Sequence, residues 1–422
     1  MPDKPALETN PGAPRPAPPL AGLRVVDFTH VIAGPFATQI LGDLGASVVK
    51  IEGVERGDVG REMAPMKNGQ SHYFVAFNRN KRSFAVDLKS ADGRQAVQAL
   101  LRDADVVVEN FAPGVIGRLG FGYEAVRELN PRVVYCSVSG FGQYGPLASK
   151  RSLDLVAQAY SGMMSTNGNP DQEPLKIGVP IGDTASGLFA VIGILAALHR
   201  RRDTGQGEYL DIAMYDSLLS LLANHGGYYL ATGTQPQRAG SGHYYTVPYG
   251  TFDAADGQIV VAVMTDANWL RLCQALGLHE LAADARFATL AGRAEHRAAV
   301  YDALCPVLRR HRVDELIERL SEADVACAPV NDIGAAFRHP QTAARGMTLT
   351  LNHPAYGELS LASLPIGSLM RDTHQPPPLH GEHTAAVLRE LGFDEATIAE
   401  MLARRALRQN DAAAAMTPQP ER

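Results

Sequence analysis

Short apolar runs alternate with helical ones from near Leu23 onward, and that alternation leaves few folds open. "LRVVDFT" reads as a strand, "HVIAGP" as a loop, "FATQILGDLG" as a helix and "ASVVKIE" as a second strand. Two strands joined through a helix run parallel, with a right-handed crossover. The pattern repeats. "RSFAVDL" is a strand, "SADGRQAVQALLRDA" a helix that Ser90 can cap, "DVVVENF" a strand, "YEAVRELN" a helix and "PRVVYCSVSG" a strand. Strands this uniformly apolar belong in a buried parallel sheet. The expectation is an α/β fold with a buried parallel sheet and helices packed on it.

The character changes further along. "GEYLDIAMYDSLLSLLANHGGYYLATG" adds one strand and one long helix. "PYGTFDAADGQIVVAV" then reads as a hairpin closed through Asp256-Gly257, followed by the helical segments "TDANWLRLCQALGL", "EHRAAVYDALCPVLRRH" and "VDELIERLSEAD". The expected organisation is a disordered tail over 1–20, a large α/β domain over 21–235 and a smaller α+β domain over 246–332. The chain then returns to the large domain over 333–407 and ends in a second disordered tail over 408–422. The Pro- and Ala-rich opening lacks the apolar core of a signal peptide. The longest apolar run, "LFAVIGILAAL", falls short of the ~20 residues that cross a bilayer, so it reads as a core helix and no membrane partner is expected.

Composition narrows the function classes. A formal charge of −6 over 422 residues argues against nucleic acid, which needs a basic face. The four cysteines, Cys136, Cys273, Cys305 and Cys327, form no CxxC pair. That fits a reducing cytoplasm better than a disulfide framework or a zinc site.

Several stretches carry the residue types of chemistry. "GFGQYG", residues 140–145, matches GxGxxG, but Pro146 follows and no helix opens on the third glycine, so a dinucleotide has nowhere to rest its pyrophosphate. "HQPPPLHGEH" holds His374, His380, Glu382 and His383 in a Pro-rich loop without HExxH spacing, and no metal is expected. No GxSxG elbow is present. Asp183 remains, in "KIGVPIGDTASGLFAVIGILAAL", where a loop becomes a helix. It reads either as the helix N-cap or as a partly desolvated nucleophile, with Gly182 and Gly187 leaving room for a substrate.

Five stretches in order, "VVDFTHVIAGPFATQILGDLGASVVKIE", "FNRNKRSFAVDLKS", "VVVENFAPGVIGRLG", "LNPRVVYCSVSGFGQYGP" and "GDTASGLFAVIGILAAL", resemble the class III CoA-transferases, the formyl-CoA and carnitine CoA-transferase superfamily. The resemblance runs over roughly residues 21–400. It implies an interlocked homodimer whose chains each have a large Rossmann-like domain and a small one, Asp183 as nucleophile, and acyl-CoA and small carboxylic acids as substrates with no tightly bound cofactor. It also implies CoA contacts at Ala33, Val86, Asp87, Leu88, Lys89, Asn110, Phe111, Ala112, Arg118 and Arg151. Arg56 stands in for a basic residue that Gly53 replaces. Gly142 and Gln143 in the glycine loop are candidates for an oxyanion site or a lid. The related racemases have His where this chain has Leu153, before Asp154, so transfer is favoured over racemisation. The glycine-rich lid of formyl-CoA transferases is not visible, and the likeness leans to the succinyl-CoA-dependent branch. Arg61, Lys67, Arg79 and Lys176 are the candidate cations for a second substrate carboxylate.

Overall fold

Six of the expected strands lie side by side: β1 (Arg24–Asp27), β2 (Ser47–Glu52), β3 (Lys81–Val86), β4 (Val106–Glu109), β5 (Val134–Ser139) and β6 (Glu208–Ala213). Their spatial order is β3-β2-β1-β4-β5-β6, and every one of these pairings is parallel. This is the Rossmann order. It reverses direction between β1 and β4, which opens a crevice at their carboxyl ends, the place where such sheets bind ligands. The computed structural model that defines this arrangement describes residues 16–243 and 245–410.

Side chains alternate across the sheet, and both faces are buried. Val26, Val49, Phe84 and Val107 pack with helix α2 (Ala91–Arg102) and the later helices Thr384–Glu390 and Glu395–Ala403. Val25, Val48, Val108 and Val134 pack on the other face with α1 (Ala33–Asp43) and α3 (Ile181–Thr204). Successive strand residues face opposite ways, so a strand covered on both sides is apolar at most of its positions. Ser90 caps α2 as its sequence position predicts, its Oγ accepting the Gly93 N–H at 3.0 Å.

The chain divides into two compact units. The first takes residues to Ala157, Pro180–Leu218 and from Gly346 on; the second takes Gln158–Val179 and Leu219–Arg345. The second unit thus spans more than the expected 246–332. In it, β7 (Tyr249–Asp253) and β8 (Gln258–Ala262) form the expected hairpin, tied by the Ala254 N–H to the Gly257 carbonyl at 2.9 Å. β9 (Ala326–Pro329) extends it antiparallel. Trp269, Leu272, Leu304 and Leu316 from its helices fill the core beneath.

Three expectations are corrected. The long helix after β6 is broken into Met214–Leu221 and Ala223–Thr232, with Ala223 at φ 45°. Order extends past both expected tails. Leu20 is buried and its N–H reaches the Leu44 carbonyl. At the other end Leu407–Arg408 pairs antiparallel with β3, and Asn410 donates to Gly381. The rest of the two expected tails, 1–15 and 411–422, lies outside the described residues. Finally, α3 runs 24 residues, long and apolar enough to span a membrane, which the eleven-residue apolar run alone is not; half of its most apolar window is buried inside the protein.

Candidate active site

Asp183 is not the cap of α3. The helix begins at Ile181 after Pro180, whose ring has no N–H and whose side chain makes no cap bond. The capping acceptor comes from another helix: Asp154 Oδ1 takes the Gly182 N–H at 2.7 Å. Asp183 stands third in the helix, half-buried, with its carboxylate outside any hydrogen bond among the described residues. Burial, and then the charge of Asp154, push its carboxyl up to about 7. The helix N-terminus opposes this by only ~0.3–1 kcal/mol. Burial wins, so Asp183 is not the fully ionised carboxylate that a reference value near 3.9 implies at neutrality.

The two glycines beside it make room for protein rather than for substrate. A Cβ on Gly182 would meet Asp154 Oδ1 at 2.9 Å. A Cβ on Gly187, one turn beyond Asp183, would meet the Ala33 carbonyl oxygen at 2.8 Å. The helix that carries Asp183 therefore touches the first residue of α1, and with it the turn after β1.

That turn lies at the crevice between β1 and β4. Asn110, just past β4, clasps His30 from both sides: its Oδ1 accepts the His30 N–H at 2.8 Å and its Nδ2 donates to the His30 carbonyl at 2.9 Å. The Asn110 side chain is thus engaged with the turn itself. The His30 ring tilts against Phe111 at 5.3 Å. Val31 has φ 65°, and its N–H donates to Asp58 Oδ1 at 3.1 Å. Asp58 is buried and paired with buried Lys50 at 2.9 Å. Burial alone would raise the Asp58 carboxyl; Lys50 and His30 outweigh it and hold it well below the usual range. Sequence reasoning missed both residues. The available signal was a lysine in the middle of "SVVKIE", an otherwise apolar strand.

The other expected CoA positions follow strand ends on the same carboxyl edge. Val86 closes β3 and is fully buried, while the Asp87 carboxylate accepts the Lys89 N–H at 2.9 Å and Leu88 leans on the core. Ala112 is exposed after β4, Arg118 is exposed at the end of a short helix Val115–Arg118, and Arg151 is exposed beyond β5. Arg56 follows β2 and is exposed, 3.8 Å from Glu62.

Four residues have other engagements than those expected. The Gly142 N–H donates to Ser139 Oγ at 3.0 Å and the Gln143 N–H to Asp211 Oδ2 at 2.9 Å, so neither amide is aimed at an oxyanion. The same two bonds, with the Tyr215 N–H on the Gly140 carbonyl, moor the loop. Arg61 forms a two-point bond with Glu52, both contacts at 2.7 Å, and covers the Phe74 ring. Arg79 is buried against Asp43 at 2.6 Å. Lys67, over the Tyr356 ring, and Lys176 are exposed. In the His-rich loop, His374 meets Asn80 at 2.8 Å and His380 meets the Gly53 carbonyl at 2.8 Å.

The family model described as CoA-transferase family III matches residues 20–384. The succinate–glutarate CoA-transferase of Agrobacterium fabrum is 38% identical over 91% of this chain and 98% of its own. The human succinyl-CoA:glutarate CoA-transferase is 34% identical over 91% and 89%. The acetyl-CoA:oxalate CoA-transferase of Acetobacter aceti is 38% identical over 92% and 99%. Among solved structures, a CaiB/BaiF family protein from Brucella suis superposes with a TM-score of 0.81 at 37% identity, covering 89% of this chain and 100% of that one.

Proposed function

The chain belongs to CoA-transferase family III, and from that premise we propose that Asp183 carries CoA between two carboxylic acids. The Asp183 carboxylate attacks the thioester carbonyl of the donor, the C–S bond breaks, and CoA thiolate leaves an aspartyl–acyl anhydride. The thiolate attacks the aspartyl carbonyl, which releases the donor as its free acid and leaves an aspartyl-CoA thioester. The acceptor carboxylate attacks that thioester, and the expelled thiolate then takes the acceptor's acyl group and frees Asp183. Each step exchanges one carboxylate or thiolate for another, so no proton is gained or lost overall.

The observation that carries this reading is Asp183 itself: a half-buried carboxylate released from capping duty by Asp154 and free of hydrogen bonds among the described residues. In this reading the exposed Arg56, Arg118 and Arg151 meet the nucleotide phosphates of CoA. CoA is substrate, with no tightly bound cofactor, and the enzyme works as a cytoplasmic homodimer. The donor is succinyl-CoA or another dicarboxylyl-CoA, and the acceptor a small dicarboxylate. Relatives named for glutarate and for oxalate stand at the same 38% identity, so the substrate assay decides the branch. With Arg61 and Arg79 engaged in buried pairs, Lys67 and Lys176 are left of the four cations for the second carboxylate.

Two measurements test this. Asp183→Ala is expected to abolish transfer with its circular dichroism unchanged, and hydroxylamine added during wild-type turnover to modify Asp183 alone. Substantial activity in the variant would end the nucleophile reading. For the donor, kcat/KM is expected to be higher for succinyl-CoA than for butyryl-CoA by ~10-fold or more, the worth of one charged contact. Equal rates remove the dicarboxylate claim and leave the transferase standing.

A further inference from the structure

Val31 is β-branched and sits in the left-handed region at φ 65°, where such a side chain crowds its own backbone. Nothing local favours that conformation, so the surroundings impose it. Two buried groups do so. Lys50 Nζ donates to the Thr29 carbonyl at 2.6 Å and pairs with Asp58 Oδ2 at 2.9 Å. Asp58 Oδ1 accepts the Val31 N–H at 3.1 Å and the Gly60 N–H at 2.8 Å. The ion pair therefore grips the turn at the residues on both sides of His30, while Asn110 holds His30 itself.

A buried ion pair is a poor device for stability alone, because apolar residues of similar size often serve as well. It does fix geometry. The geometry it fixes here ends at Ala33, whose carbonyl lies against α3 one turn from Asp183. Backbone strain of this kind clusters at sites where a conformation is needed for function. We propose that Lys50 and Asp58 are positioning residues that hold the 29–33 turn in its strained form as a wall of the acyl-CoA site. This rests on the CoA-transferase reading above. Neither side chain touches substrate; Lys50 acts through the Thr29 carbonyl and Asp58 through the Val31 N–H.

The test uses the full chain and succinyl-CoA. Asp58→Asn is expected to raise the KM for succinyl-CoA at least 10-fold while kcat changes less than 3-fold. Adding Val31→Gly should bring KM back to within about 3-fold of wild type, because glycine adopts positive φ without being held there. The melting temperature should stay lowered in both, since the buried charge defect remains. A double variant no better than Asp58→Asn would reduce the pair to core support and overturn the proposal. If Asp58→Asn does not fold, Val31→Pro replaces it: proline cannot adopt φ 65°, and the change leaves the ion pair in place. Val31→Pro is expected to lose at least 10-fold in succinyl-CoA affinity by calorimetry, and wild-type affinity there overturns the proposal. Wild-type protein that binds no acyl-CoA at all would instead bring down the transferase reading beneath it.

Discussion

At the scale of single residues, the competition at Asp183 is between a helix end that favours its charge and a burial that disfavours it. Burial and Asp154 push the carboxyl up to about 7, so its protonated form competes with the ionised one at neutrality. Because the proposed attack by Asp183 needs the ionised form, kcat/KM should rise with pH through a midpoint near 7 and fall away on the acid side. Asp154→Asn keeps an oxygen for the Gly182 N–H and removes the neighbouring charge, so its acid limb should shift to lower pH. A pH–rate profile of both proteins checks this, and an unmoved limb would clear Asp154 of any influence on Asp183. The sequence made Asp183 conspicuous but left its setting open between a cap and a partly desolvated carboxylate. Position alone suggested a cap, and the residue that supplies the cap acceptor, Asp154, lies 28 positions before Gly182 on another helix.

At the scale of elements, what was legible and what was not divide along a physical line. Strands β1–β6 and the Ser90 cap rest on apolar runs and contacts three residues apart, which a sequence displays directly. The engagements of Arg61, Arg79 and Asn110 depend on which distant loop folds against which strand, and no local pattern encodes that. Arg79 shows the consequence. As a substrate ligand it would govern KM; as the partner of Asp43 at the end of α1 it governs stability. Arg79→Met leaves Asp43 buried without its guanidinium and is expected to cost about 3–5 kcal/mol. Urea unfolding measures that loss, and a stable variant with a raised KM would restore the substrate role.

At the scale of the whole molecule, α3 has one face in the core and another bearing Leu188, Ile192 and Leu195, exposed by 49%, 60% and 37%. Those residues follow at four and then three positions, the spacing of a single helical stripe. A second copy of the chain is the occupant that the proposed interlocked homodimer would supply. Linked chains cannot part without unfolding, so differently tagged dimers should fail to exchange subunits under native conditions. Ready exchange, or a monomer by light scattering, removes the interlock. The closure of the sheet adds a constraint in time. Val86, at the end of β3, finds its outer neighbour only in Leu407. A ribosome adding ~5–20 residues per second needs on the order of tens of seconds to travel between them. Through most of that interval the nascent sheet presents an open β3 edge, which His383 and Thr384 and then Leu407–Arg408 come to cover.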